Sequence, residues 1–131
     1  MASEPEVEFK ILIVDDDREL LDTLSCVLSS ERYHVTCAQS GAEGISLLEA
    51  GEYDLILVDL RMRRMDGQQF LRFVKLLYPR CPVVLMSAYA TAEAVVKANR
   101  EGAYDCLLKP FKLTELQDIL HRASREAQSA T

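Results

Sequence analysis

Five short apolar runs alternate along the chain with longer segments whose apolar residues recur at helical spacing. Four of the runs, at 11–14, 55–58, 83–86 and 106–108, are apolar at successive positions. This pattern is typical of strands that are covered on both faces. In the second run Tyr33, Val35 and Cys37 alternate with other residues, which indicates an edge strand with one wetter face.

The intervening segments predict helices with marked starts and ends. Ser40 followed by Glu43 has the spacing of a capping box, and Gly51 closes that helix. Asp66 followed by Gln69 gives a similar start to the next helix. The segment 91–100 is different, because its apolar residues are small, and we expect its helix to be weakly anchored.

Strands that alternate with helices predict an α/β domain with a parallel sheet. Right-handed crossovers leave few topologies, and a doubly wound, flavodoxin-like sheet in the order 2-1-3-4-5, with five helices, puts the second strand at an edge. We expect a tail at 1–8, one domain at 9–123, and a C-terminal tail or the start of a linker at 124–131. In such sheets function gathers at the carboxyl ends of the strands.

Composition narrows the class of protein. The 131 residues fit one domain, and the formal net charge of -6 argues against direct binding of nucleic acid by this domain. There is no apolar run long enough to span a membrane and no secretory signal, so we expect a cytoplasmic protein. The four cysteines lack metal-ligand spacing and lie in apolar stretches, which favours buried free thiols.

Polar residues follow four of the predicted strands. In chain order they are Asp15, Asp16, Asp17, Asp59, Ser87 and Lys109, and Pro110 follows the lysine. All of them would converge at one edge of the sheet, where two carboxylates about 4 Å apart repel by roughly 4 kcal/mol at an effective dielectric of 20. A protein can relieve such repulsion by protonating one carboxylate, by pairing it with a cation, or by binding a metal.

This set of residues suits phosphoryl transfer to a carboxylate. Asp59 stands alone at the end of a central strand and is the natural nucleophile. Asp15 and Asp16 are suited to Mg²⁺, which prefers oxygen ligands, whereas Asp17 begins a helical pattern and is better placed as an N-cap. The cluster contains no histidine, which argues against zinc.

The chain resembles the receiver domain of bacterial two-component response regulators. The resemblance rests on the motifs ILIVDDD, LILVDLRM, MDG, VVLMSAYA and LLKPF, and SAYAT and GAYDCLLKPF are closest to receivers of nitrogen-regulation-type transcriptional activators. It implies that Asp59 accepts phosphate from a histidine kinase. It also implies that Asp16 and Asp59 bind Mg²⁺ through carboxylates, Arg61 through its backbone carbonyl, and Asp15 through water.

The same resemblance implies how the phosphoryl group is held and reported. Ser87 would hydrogen-bond it, Lys109 would pair with it, and a cis bond between Lys109 and Pro110 would place the lysine. Phosphorylation would remodel the face made by helix 4, strand 5 and helix 5. Such a domain is not an enzyme beyond its own phosphorylation and dephosphorylation, and it would act with an output domain, a downstream protein or a second copy.

The sequence departs from the family pattern near the acceptor. Most receivers have an aromatic residue three positions before the lysine, and Cys106 stands there instead. The loop that usually reads Met-Pro-Gly-Met-Asp-Gly carries arginines at 63 and 64, which we interpret as a solvated loop rather than a docking site. We expect Arg61 and Tyr89, which flank the acceptor, to tune the lifetime of the phosphoryl group.

Other classes of protein compete with a phosphorylation switch. Loss of the aromatic at Cys106 leaves open an interaction module that no longer signals by phosphate. A phosphatase of the haloacid dehalogenase type needs an Asp two residues after the nucleophile, where this chain has Arg61. Flavin binding is disfavoured because three aspartates after the first strand would repel its phosphate.

Overall fold

The computed structural model describes residues 8–62, 64–88 and 91–129, and its five strands form one parallel sheet in the order β2-β1-β3-β4-β5. The strands are β1 Lys10–Val14, β2 His34–Ala38, β3 Leu55–Asp59, β4 Val83–Ser87 and β5 Asp105–Leu108. The helices are α1 Arg18–Ser30, α2 Gly41–Ala50, α3 Gly67–Leu77, α4 Ala92–Arg100 and α5 Leu113–Ser129. The predicted strand order and the edge position of β2 are confirmed.

Successive side chains of the central strands point to opposite faces of the sheet and belong to two apolar clusters, one on each face. Ile11 and Ile13 of β1 pack with α1 and α5. Leu12 and Val14 of the same strand pack on the other face, with α2, α3 and α4. Burial on both faces explains why these strands are continuously apolar in sequence. None of the described helices is long and apolar enough to cross a bilayer.

The fifth apolar run is less covered than its pattern indicated. In β5 only Leu107 is buried, and Leu108 is 53% exposed. The prediction of a strand covered on both faces is wrong here, because β5 lies at the edge of the sheet and its outward side chain meets solvent. The cysteine prediction is also wrong in part: all four thiols are free, but Cys26 is exposed and the other three are only partly buried.

Helix ends show which local signals operate. Asp66 accepts a hydrogen bond from the Gln69 N–H at 2.8 Å, and Gln69 accepts one from the Asp66 N–H at 3.0 Å, so the capping box is complete. Ser40 accepts from the Glu43 N–H, but Glu43 accepts from the N–H of Gln39 rather than of Ser40. At the other end of the chain α5 continues through Ser129, so residues 124–129 of the predicted tail are helical.

Arg64, in the loop between β3 and α3, adopts a left-handed backbone with φ of +69°. We expect Arg64→Gly to raise the free energy of unfolding by about 0.5–1 kcal/mol, because the relief of the Cβ clash in this conformation outweighs the entropy that glycine adds to the unfolded chain. Urea unfolding measures the difference. The matched control is Arg80→Gly, at an exposed position without a positive φ, and it should lower stability. Equal effects of the two variants would contradict strain at Arg64.

Candidate functional site

The carboxyl ends of β1, β3, β4 and β5 bring four polar side chains to one edge of the sheet. Asp15 follows β1, Asp59 and Ser87 end β3 and β4, and Lys109 follows β5. Backbone hydrogen bonds fix this edge: the N–H of Leu60 donates to the carbonyl of Met86, and the N–H of Lys109 donates to the carbonyl of Ser87, each at 2.7 Å. The parallel sheet thus gathers residues that are far apart in the sequence.

Asp59 lies at the centre of this group and is only 8% exposed. Its Oδ1 accepts a hydrogen bond from the backbone N–H of Arg61 at 3.2 Å. Burial and, next, the negative charge of Asp15 raise the pKa of Asp59, against the opposing charge of Lys109. Neutralisation of this carboxylate by a cation or by a proton therefore relieves an electrostatic cost.

Asp15 is fully buried and is the main partner of the lysine. Its Oδ2 lies 2.7 Å from Lys109 Nζ, and its Oδ1 accepts the N–H of Asp17 at 2.9 Å. Asp17 in turn caps α1, since its side chain accepts the N–H of Leu20. Asp15 thus neutralises the lysine and also fixes the turn into α1.

Lys109 reaches both buried carboxylates, because its Nζ lies 3.6 Å from Asp59 Oδ2 as well as beside Asp15. Burial alone would lower the pKa of Lys109, but the hydrogen bond and charge of Asp15, together with the charge of Asp59, outweigh it and raise the pKa. The peptide bond between Lys109 and Pro110 is cis. The ammonium is therefore a fixed positive charge between the acceptor and its buried neighbour.

Asp15, Asp16 and Asp59 each offer a carboxylate oxygen within 4.8 Å of the others. Asp16 is exposed, whereas the other two are buried, so the group opens to solvent on one side. Three carboxylates with no nitrogen or sulfur ligand fit a hard cation such as Mg²⁺, which keeps several waters. The raised pKa of Asp59 is a second reason why a cation suits this position.

Gly67, which the sequence pattern did not mark as functional, sets the distance between α3 and the acceptor strand. A Cβ at this position would lie 2.6 Å from the carbonyl oxygen of Asp59 and 2.7 Å from the Cα of Leu60. The N–H of Gly67 donates to the Leu60 carbonyl at 2.8 Å. A glycine directly after the N-cap Asp66 is visible in the sequence and could have indicated a close backbone contact. Only the fold shows that this contact is with Asp59 and Leu60 of the acceptor strand and its loop.

Cys106 and Ser87 lie on neighbouring strands near the site. Ser87 is 6% exposed, and Cys106 is half-buried against the cluster on the α4 face. Burial, and then the charge of Asp105, raise the pKa of the Cys106 thiol, so it stays protonated at neutral pH. Arg61 is exposed, and Tyr89 lies outside the described residues, so their proposed effect on phosphoryl lifetime stays a prediction.

The family model described as "Response regulator receiver domain" matches residues 11–121. With the match covering most of the chain, and with this sheet order and this acidic edge, the chain belongs to the response regulator receiver domain family. A receiver domain is a signalling domain that works as part of a two-component system. The resemblance drawn from the sequence motifs is confirmed.

Curated relatives and solved structures agree with this family. Transcriptional regulatory protein ZraR of Escherichia coli K12 is 38% identical over 91% of the chain, and regulatory protein AtoC of the same strain is 40% identical over 87%. Both are transcriptional activators of the nitrogen-regulation type. The receiver domain of NtrX from Brucella abortus is 32% identical, with a TM-score of 0.81 over 86% of this chain and 96% of that one.

The chain spans only about a quarter of the length of these curated relatives: 27% of ZraR and 25% of AtoC. By contrast, it covers 99% of a CheY-like receiver domain protein from Methanospirillum hungatei, with a TM-score of 0.86 and 28% identity. The similarity is therefore to one domain of the long relatives and to the whole of the short one.

Proposed function

We propose that this receiver domain is a phosphorylation-dependent switch in which Asp59 accepts a phosphoryl group from a histidine kinase. The observation that carries the proposal is the placement of the Asp59 carboxylate at the end of a central strand, 3.6 Å from Lys109 Nζ and within 4.8 Å of two other carboxylates. Nucleophile, fixed cation and metal-ligating oxygens are the parts that phosphoryl transfer to a carboxylate requires.

In the proposed step an Asp59 oxygen attacks phosphorus, and the bond from phosphorus to the donor nitrogen breaks with its electron pair on that nitrogen. Asp15, Asp16, Asp59 and the Arg61 carbonyl would hold Mg²⁺, which neutralises charge on the transferring oxygens when bound. Lys109 would contact one phosphoryl oxygen. Its ammonium already lies between Asp15 and Asp59, so a small displacement away from Asp15 suffices.

The Ser87 hydroxyl would hydrogen-bond the phosphoryl group and carry the change into the face formed by α4, β5 and α5. This face holds the exposed apolar side chains Val96 and Leu108, which a partner would cover. The partner would be an output domain, a downstream protein or a second copy of the chain. We place the domain in the cytoplasm, where its free cysteines fit a reducing compartment, and assign it no direct contact with nucleic acid or membrane.

The proposal is tested by measuring the intact mass of the chain after incubation with Mg²⁺ and acetyl phosphate. We expect a labile gain of one phosphoryl group, because the acceptor and its neutralising groups are in place. Asp59→Asn should abolish the gain, since an amide oxygen is a poor nucleophile and carries no charge for the metal.

The matched control is Asp54→Asn. Asp54 is an exposed aspartate that directly precedes β3, at the end of the strands opposite to the site. Its side chain accepts a hydrogen bond from the N–H of Lys10. This variant should be phosphorylated like the wild type. If no donor, small molecule or kinase, phosphorylates the wild type, the switch is wrong and a receiver-like interaction module is the better interpretation.

A further inference from the structure

The first turn of α2 lies against the loop that follows Asp59. A Cβ at Gly41, the first residue of α2, would come 2.7 Å from Sδ of Met65, 3.1 Å from its Cβ and 3.2 Å from its Cγ. The methionine side chain therefore lies along the bare backbone of Gly41, in space that any larger residue at that position would fill. This contact joins α2 to the loop between β3 and α3.

The helix side of this contact is fixed by the core. One turn further along α2, a Cβ at Gly44 would lie 2.9 Å from the ring of Phe70 and 3.1 Å from Cγ2 of Val14. Phe70 and Val14 are fully buried, and Ser40 caps the helix by accepting the N–H of Glu43. The start of α2 is thus held by close packing and by its cap, and it offers the loop a rigid surface.

The loop side of the contact lies between two anchors. At the start of the loop the N–H of Leu60 donates to a carbonyl of β4 at 2.7 Å, and at its end Asp66 caps α3. Between these anchors Arg61 and Arg64 are exposed, whereas Met65 is partly buried against the apolar cluster on the α2, α3 and α4 face. Met65 therefore ties the loop to the body of the domain at a point between its anchored ends.

The sequence of the loop gives this contact more weight here. The proline and glycine of the usual family loop are replaced by arginines at 63 and 64. Proline restricts the backbone even without packing, so a loop that lacks it relies more on side-chain contacts to fix its shape. The Arg61 carbonyl, which the proposed function assigns to Mg²⁺, belongs to the same loop. Its position then depends on how the Met65 side chain is seated.

We propose that Met65 is a positioning residue: seated against Gly41, it holds the loop in the shape in which the Arg61 carbonyl can bind Mg²⁺. This inference rests on the proposed function, because the ion is the one that the aspartates of the site would hold. It extends the support of the site to α2, a helix that supplies none of the proposed ligands. Removal of outer contacts that orient metal ligands usually weakens metal binding by about 10- to 100-fold.

The contact is tested by titrating Mg²⁺ into the unphosphorylated full chain and following amide shifts by NMR, which gives the Kd of the ion. We expect Gly41→Ala to raise this Kd by about tenfold, because the added methyl group displaces the Met65 side chain from the helix. Gly51→Ala is the matched control. It adds the same methyl group at the other end of α2, where the nearest atom would be 3.9 Å away, and should leave the Kd within about twofold of the wild type.

Substitutions of Met65 test the other side of the contact. Met65→Ala should raise the Kd to a similar extent, and Met65→Leu, which keeps an apolar side chain of similar volume, should retain most of the affinity. Because Gly41→Ala and Met65→Ala break the same contact, the double variant should bind Mg²⁺ about as weakly as either single variant. Effects that multiply to about 100-fold in the double variant would overturn the proposal.

Phosphorylation and unfolding separate a positioning role from a merely structural one. The Mg²⁺ concentration that gives half-maximal phosphorylation by acetyl phosphate should rise by the same factor as the Kd. If Met65→Ala unfolds at lower urea concentration but binds Mg²⁺ like the wild type, the positioning role is wrong and the proposed function still stands. If the wild type shows no Mg²⁺-dependent shifts, the metal site of the proposed function is wrong, and the positioning role fails with it.

Discussion

Lys109→Met should slow phosphorylation of Asp59 by acetyl phosphate by about 10²–10³-fold, the usual cost of removing one charged or hydrogen-bonding group that stabilises a transition state. The same change leaves the fully buried Asp15 without the ammonium that lies 2.7 Å away. We therefore also expect the free energy of unfolding at neutral pH to fall by about 2–3 kcal/mol. This is less than the roughly 3–5 kcal/mol for a wholly buried pair, because the Lys109 side chain is 21% exposed.

Time courses of intact mass and urea unfolding measure the two effects. Added Mg²⁺ should restore part of the lost stability, since a cation can replace the ammonium beside the carboxylates. Lys112→Met is the matched control: it removes the same charge from an exposed position three residues away and should leave rate and stability close to those of the wild type. Equal behaviour of the two variants would show that Lys109 does not serve the site.

The second large effect concerns pH and metal at Asp59. Burial and the charge of Asp15 raise its pKa in the folded state above the ordinary value for an aspartate, so the folded state binds the proton more tightly than the unfolded state does. This contribution to stability is complete below the unfolded pKa and is lost as pH rises through the folded pKa. Without metal, the wild type should therefore lose stability relative to Asp59→Asn over that window. The loss is about 1.4 kcal/mol for each pH unit that separates the folded pKa from the unfolded pKa.

Mg²⁺ should reverse the order of the two proteins. At a concentration about 100 times its Kd the ion should raise the free energy of unfolding of the wild type by about 2.7 kcal/mol. The increase should be much smaller for Asp59→Asn, which lacks one carboxylate ligand. Urea unfolding between about pH 4 and 8, with and without Mg²⁺, measures both effects. If the wild type instead becomes more stable relative to Asp59→Asn as the pH rises in the absence of metal, the pKa of Asp59 is lowered rather than raised.

Much of the fold could be predicted from sequence because its central strands are buried on both faces and therefore continuously apolar. Parallel topology then sends the residue after each strand to the same edge, which is why Asp15, Asp59, Ser87 and Lys109 could be grouped from the sequence. Local rules also worked where a signal is short-range, as in the complete capping box of Asp66 and Gln69. In these cases the sequence signal is local: an apolar run, the residue that follows it, or a cap and its partner three positions later. The parallel topology then brings the ends of distant strands together.

The failures share the opposite cause. The ion pair of Lys109 with Asp15 joins residues 94 positions apart, and only side-chain geometry decides that the lysine prefers Asp15 to Asp59. Cys26 follows an apolar pattern, but the turn of α1 carries it away from the core to the surface. The contact of Gly67 with the acceptor strand depends on how closely α3 packs, which no local pattern records.

The pairing of Lys109 with Asp15 also bears on the order in which ligands reach the site. Asp15, Asp16 and Asp59 together carry more negative charge than the single ammonium offsets, and an approaching phosphate dianion is repelled by roughly 4 kcal/mol for each uncompensated pair of unit charges at about 4 Å. A divalent cation bound by these carboxylates would lower that barrier. The same charge argument applies to free phosphate, to sulfate and to a phosphodonor, so each of these anions would approach the site more readily once a cation is bound.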